Sequence, residues 1–342
     1  MNKKLFLLGC IVLLFWINVT VFAEGSPAQV SIPANGPVTD ICFSPDGTKI
    51  VFAVKNVINL CKVDGTLIKR FGVKDGPTVD VMDYTHNMIA AYAYTNPAQI
   101  DIWDENGTNI KKLGAIAKTS DETTVNAEIE TAKSYRLLFT RDGTSLLTVS
   151  KTDNFGGVKL RNIATGKVKL FKGYEDTSVY GCCLSVDGSK FVTISRDEQV
   201  KLWDLAKGTL IRTIDTGDPL QSSYNGKDVA MLNDGTIVVV KKEVTLWSGD
   251  GKLIKTLKKE TDSSYTMVRV SRDGNLFAVA YAESGLALYR KDGSLLKVLQ
   301  TEGQYSLPSA VTGISFSPDN KFMAVATDGG ELEKGDVRIF SL

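Results

Sequence analysis

The chain of 342 residues holds one histidine, His86. That scarcity excludes a multi-histidine metal site, and any Ser-His-Asp set would have no other base to use. His86 falls in a turn stretch, Thr85-His86-Asn87, where an exposed turn residue is expected. A glycine-rich phosphate loop is missing: Asp328-Gly329-Gly330 sits between strand patterns, not before a helix. Regularly spaced acidic loops of the calcium type are missing too. No metal, cofactor or catalytic residue is expected. Neither sign of charge dominates, with 40 Lys+Arg against 39 Asp+Glu. Such a balance gives no basic field to hold phosphates, so nucleic acid is not an expected partner. The five cysteines make no disulfide framework. Cys10 lies in the leading apolar run. Cys42 and Cys61 fall on the first and third of three successive strands, about two strand spacings apart and beyond bridging distance. Cys182 and Cys183 are adjacent in a strand and point to opposite faces.

What is present is a strand pattern. Residues 173–216 contain four short apolar runs, each closed by a turn signal. Val179 to Leu184 ends at Asp187-Gly188, and Lys190 to Ile194 at Arg196-Asp197-Glu198. Val200 to Leu205 ends at Lys207-Gly208, and Thr209 to Ile214 follows. Runs of this length, rich in β-branched and aromatic residues, read as antiparallel strands joined by hairpins. Four of them in about 40–45 residues make one propeller blade.

The third run, Val200-Lys201-Leu202-Trp203-Asp204, resembles the strand that names the WD-repeat family. Its signature recurs as Ile58-Asn59-Leu60-Cys61, Ile100-Asp101-Ile102-Trp103, Val158-Lys159-Leu160-Arg161, Val244-Thr245-Leu246-Trp247, Leu286-Ala287-Leu288-Tyr289 and Val337-Arg338-Ile339-Phe340. That makes seven. A Gly-containing turn follows six of them, for example Asp64-Gly65 and Asp250-Gly251. A first-to-second-strand turn recurs in register, as in Ser44-Pro45-Asp46-Gly47 and Arg272-Asp273-Gly274, and is degenerate only at His86. Two signatures in fixed register predict an all-β fold: a seven-bladed β-propeller of four-stranded antiparallel blades. The expected blades cover 38–71, 78–114, 134–173, 178–216, 226–257, 265–299 and 310–342. Cys42, Cys183 and Ser315 share one repeat position, as small residues packed between blades do. The last repeat lacks a fourth strand, and an alternating run at 28–33 lacks a local partner. The family resemblance implies that this N-terminal strand closes the last blade, which also removes an open edge. Gly173-Tyr174 stands where many WD repeats carry Gly-His, so the family's buried His–Ser/Thr–Asp–Trp network is not expected to form.

Residues 1–23 read as a secretory signal peptide. Lys3-Lys4 is basic, the run from Leu5 to Phe22 is apolar apart from Asn18 and Thr20, and Val21-Phe22-Ala23 suits cleavage before Glu24. The Lys-Lys start suits a bacterial export signal, with a periplasmic or extracellular address. The competing reading is an uncleaved anchor, because the run approaches the length of a spanning helix. Leu7-Leu8-Gly9-Cys10 resembles a lipoprotein box, but Cys10 comes too early. The remainder, 24–342, is expected to be one domain and a monomer. Its net charge is about −1, since removal of Lys3 and Lys4 leaves 38 basic residues against 39 acidic ones.

Counting six residues back from the turn Asp picks one position on each innermost strand: Asp40, Asp80, Arg136, Gly181, Asp228, Met267 and Gly313. These are expected to ring the mouth of the central channel. The long connection at 115–133, with Asp121, and those carrying Phe155 and Glu331 all emerge on the top face of such a fold. The resemblance implies a non-catalytic scaffold that binds a protein partner there, at Asp40, Asp80, Arg136 and Asp228 flanked by Asp121, Phe155 and Glu331. The alternative is a small-molecule or cation site, with or without an enzyme activity, at the acidic channel mouth.

Overall fold

The computed structural model describes residues 29–72, 76–93, 99–113, 134–150, 157–174, 177–217, 228–258, 264–282, 285–299, 310–330 and 334–342. Its strands pair into seven four-stranded antiparallel sheets. Six sheets take four consecutive strands each. The seventh joins Val30–Pro33 to the edge of Asp336–Ser341, with Val30 opposite Ile339 and Pro33 opposite Asp336. The first and last residues of the ring therefore share one blade.

The innermost strands are Val38–Phe43, Val79–Thr85, Ser134–Phe139, Val179–Leu184, Asp228–Met231, Tyr265–Val270 and Val311–Phe316. The second strand of each blade is largely buried on both faces, and its sequence is correspondingly apolar in most blades, as in IVFAV and IVVV. Burial comes from the neighbouring blade. One cluster packs Val51, Ile58 and Leu60 of the first blade on Met82, Tyr84 and Trp103 of the second. Another packs Ile41 and Phe52 of the first on Ala324, Val337 and Ile339 of the seventh.

Tyr174 adds to one expectation. Its hydroxyl accepts the Trp203 Nε1–H at 2.7 Å and bonds Thr193 Oγ1 at 2.6 Å. A buried network therefore does form in the best repeat, with tyrosine in the place of histidine. A phenol reaches the same distance and supplies a donor and an acceptor. Asp197 turns instead to Ser195, at 2.5 Å. Trp203 also stacks on Phe191 and meets Phe171 edge-on, so the indole joins the third blade to the fourth.

A second joint was not foreseen. The outermost strands of six blades carry a cation opposite the same third-strand residue: Lys69, Lys111, Lys169, Arg212, Lys255 and Lys297. Lys169 donates to the Ala206 carbonyl of the next blade at 2.9 Å, and Lys255 to those of Asp292 and Gly293 at 3.3 Å. Among the described residues the exposed large hydrophobics all lie on outermost strands, such as Leu67, Leu210 and Ile254.

Trp203→Ala is expected to cost about 3–5 kcal/mol, since it empties an aromatic joint and strands Tyr174. Chemical denaturation of the parent and the variant reads this directly. A loss below ~1 kcal/mol would place the indole outside the core.

Candidate functional site

Each innermost strand is a sheet edge, so half of its backbone N–H groups face the neighbouring blade and need acceptors. Side chains supply them. The Asp40 carboxylate accepts from its own neighbour Ile41 N and, across the blade interface, from Met82 N, both at 2.8 Å. Asp83 accepts from Tyr84 N at 2.8 Å and from Phe139 N of the third blade at 2.6 Å. Asp228 accepts from Val229 N at 2.9 Å and from Val268 N of the sixth blade at 3.1 Å. Ser315 Oγ does the same work for Phe43 N at 3.0 Å. These groups tie neighbouring blades together at the channel wall.

Two glycines make the arrangement possible. A Cβ at Gly181 would lie 2.4 Å from Asp228 Oδ1, and one at Gly313 would lie 3.1 Å from Asp40 Oδ1. The position before each of these aspartates around the ring must be empty of side chain.

The expected ring is only partly the observed one. Asp40, Arg136 and Asp228 do share one register with Gly181, Met267 and Gly313 on the channel wall. Asp80 does not: the place in the second blade belongs to Val81, which pairs with Tyr92 and lines the channel. The reason is the turn. His86 and Asn87 both have positive φ and form a two-residue hairpin closed by Thr85 opposite Met88. Asn87, not His86, stands where the other repeats have Asp, so the count starts one residue later. Asp121, Phe155 and Glu331 lie outside the described residues. Sequence reasoning missed Asp83 and the channel arginines Arg141, Arg269 and Arg272. Asp83 sits at the repeat position of Cys42, Cys183 and Ser315, so an aligned repeat would have marked it as the odd member.

The charges are linked. Asp228 is 3% exposed, and its Oδ2 receives both Arg136 and Arg269, the latter at 2.9 Å. Burial pushes this carboxyl up, and Arg136 and the backbone donors pull against it. Asp40 and Asp83 form no close ion pair among the described residues, and burial pushes each up to about 6 against the pull of two backbone N–H donors and the weaker pull of Arg136 on Asp40 and Arg272 on Asp83. Burial also raises the Cys183 thiol, to about 11, so it is no nucleophile. Among the described residues no group of three His, Cys, Asp or Glu side chains is disposed to hold a metal ion.

A family model described as "WD domain, G-beta repeat" matches residues 166–204 and 293–331. Each match begins at the fourth strand of one blade and runs into the next, across the interface just described. The chain is a seven-bladed β-propeller that carries WD repeats. Among curated relatives, Protein hir1 of Aspergillus terreus is 29% identical over 161 residues, which is 45% of this chain and 15% of that protein. Apoptotic protease-activating factor 1 of Rattus norvegicus is 23% identical over 180 residues, 52% of this chain and 13% of that protein. This WD-repeat chain thus matches only a small part of either relative.

Stability should depend on pH through the channel. In the unfolded chain Asp40 and Asp83 return to an ordinary 3.8, so between about pH 4 and 6 the folded state binds more protons. Both groups therefore make the fold more stable as pH falls from 7 to 5, each by on the order of 1 kcal/mol. Melting curves across that range check the sign. The Asp40→Asn, Asp83→Asn double variant is expected to flatten the slope, and an unchanged slope would assign it to other groups.

Proposed function

We propose that this propeller is an exported, non-catalytic scaffold that binds a protein partner through its top face. WD-repeat propellers are generally protein-interaction scaffolds. The observation that carries the choice of face is the state of the opposite one. First-to-second-strand turns on the bottom spend their polar groups on themselves. Asp46 accepts from Ser44, Thr48 N and Thr48 Oγ1, and Asp187 accepts from Ser185 and Ser189 in the same way. These bonds hold both carboxyls at about 2. The connections 114–133, 151–156 and 331–333 all leave the other end of the strands, where binding residues on a rigid scaffold concentrate.

The competing reading was a cation or small-molecule site at the acidic channel mouth. Asp40 and Asp228 already give both oxygens to backbone N–H groups, which supports the scaffold reading over a cation site. Once a partner is captured from the native envelope, Phe155→Ala and a shortened 117–131 connection should each weaken it at least about tenfold, the cost of losing one interface anchor. Lys190→Ala, beside a bottom turn, should leave it unchanged. Weakening by Lys190→Ala alone, with all three variants folded, would move the interface to the other face.

Export rests on Lys3-Lys4, the apolar run and Val21-Phe22-Ala23. Intact mass of the protein recovered from its native host should begin at Glu24. Full-length chain in the membrane fraction would instead identify an anchor.

A further inference from the structure

We infer that the lower half of the channel is a binding site for a small oxyanion, a phosphate or a carboxylate. A cavity of about 270 Å³ runs from the middle of the innermost strands to the first-to-second-strand turns. Arg136, Arg141, Arg269 and Arg272 line it, and Asp83 is the only carboxylate that does. Four of the chain's ten arginines therefore meet in one place, in a protein whose formal net charge is +1.

The carboxylates nearby cancel only part of this charge. Asp228 answers Arg136 and Arg269 with one oxygen, so one negative charge faces two positive ones. Asp83 has given both oxygens to Tyr84 N and Phe139 N. Arg141 and Arg272 stand on turns of the third and sixth blades, on opposing sides of the ring. Neither guanidinium donates a hydrogen bond or forms an ion pair among the described residues. Burial and the like charge of Arg141 both work against protonation of Arg272, and the Asp83 carboxylate pulls the other way. An anion between them would remove that repulsion.

The geometry suits such a guest. A guanidinium presents a planar fork of donors that fits carboxylate and phosphate oxygens in pairs. Leu138, Phe139, Met231 and Val268 give the wall an apolar part, Thr85, Thr140, Ser185 and Ser271 add hydroxyls, and low-dielectric walls concentrate the field of the arginines. An apolar pocket with a few convergent polar groups is the usual form of a small-ligand site. This site stands at the end of the channel away from the long connections, and holds whether or not a partner binds the top face.

The test is calorimetric titration of the full chain, in chloride buffer at constant ionic strength, with inorganic phosphate in one arm and succinate in another. Saturable one-to-one binding is expected in at least one arm. The Arg141→Gln, Arg272→Gln double variant should weaken it about tenfold or more, as the loss of charge-assisted hydrogen bonds requires. Arg70→Gln, on an outermost strand, should not change it. Binding of phosphate alone assigns a phosphate-bearing ligand, and binding of succinate alone a carboxylate. If the double variant fails to fold, Arg141→Gln alone, on an exposed turn, should still weaken binding at least about threefold. No saturable binding of either anion below ~10 mM, or equal binding by the folded variants, overturns the site.

Discussion

A four-stranded blade of this protein is apolar on both faces, and neither face can be buried without a neighbour. Everything else follows from that constraint. The second strands need no polar face, which is why several of them read as continuous Val, Ile and Ala runs. Because each interface is needed, the ring must close, and closure falls to Val30–Pro33 on the edge of the last blade. The same strand also covers an edge that would otherwise invite pairing with another chain. Aromatic joints such as Trp203 and rivets such as Lys169 act between blades and leave the sheets themselves to backbone pairing.

At the centre of the ring the constraint takes a polar form. Seven strand edges converge there, and their N–H groups need acceptors that the sheets cannot supply. Aspartate meets the need at three interfaces because each of its two oxygens can serve one strand. The cost is a buried negative charge. Asp228 offsets it with two arginines, while Asp40 and Asp83 offset it by a raised pKa. Serine at the equivalent of Asp83 gives one acceptor without the charge, as Ser315 does.

The fold was legible in the sequence because its signals are local and repeated. A strand followed by an Asp-Gly turn can be read within ten residues, and seven copies correct one another. The channel was less legible for two physical reasons. Side chains alternate faces with period two, so one residue of error in a degenerate repeat exchanges Asp80 for Val81. And the bonds that matter, such as Asp40 to Met82, join residues about one blade apart, where no local pattern records them. Tyr174 shows a third limit: without histidine the four-membered network does not form, but a tyrosine joins Thr193 to Trp203 in a shorter one that no sequence signature announced.

The acidic ring that the sequence suggested is therefore part of the scaffold. Below the level of Asp40 and Asp228, four arginines line the channel against one carboxylate, Asp83. Arg141 and Arg272 pay nothing toward blade packing through their guanidinium groups, and the turns that carry them are fixed by their own Asp142 and Asp273 hydrogen bonds to Thr140 and Ser271. Turns that hold these two cations across the opening keep their mutual repulsion in place, and Asp83 offsets it only in part. A ring whose blades are locked from both rim and axis has little freedom to relieve that repulsion by moving, and so an anion is the means left to it.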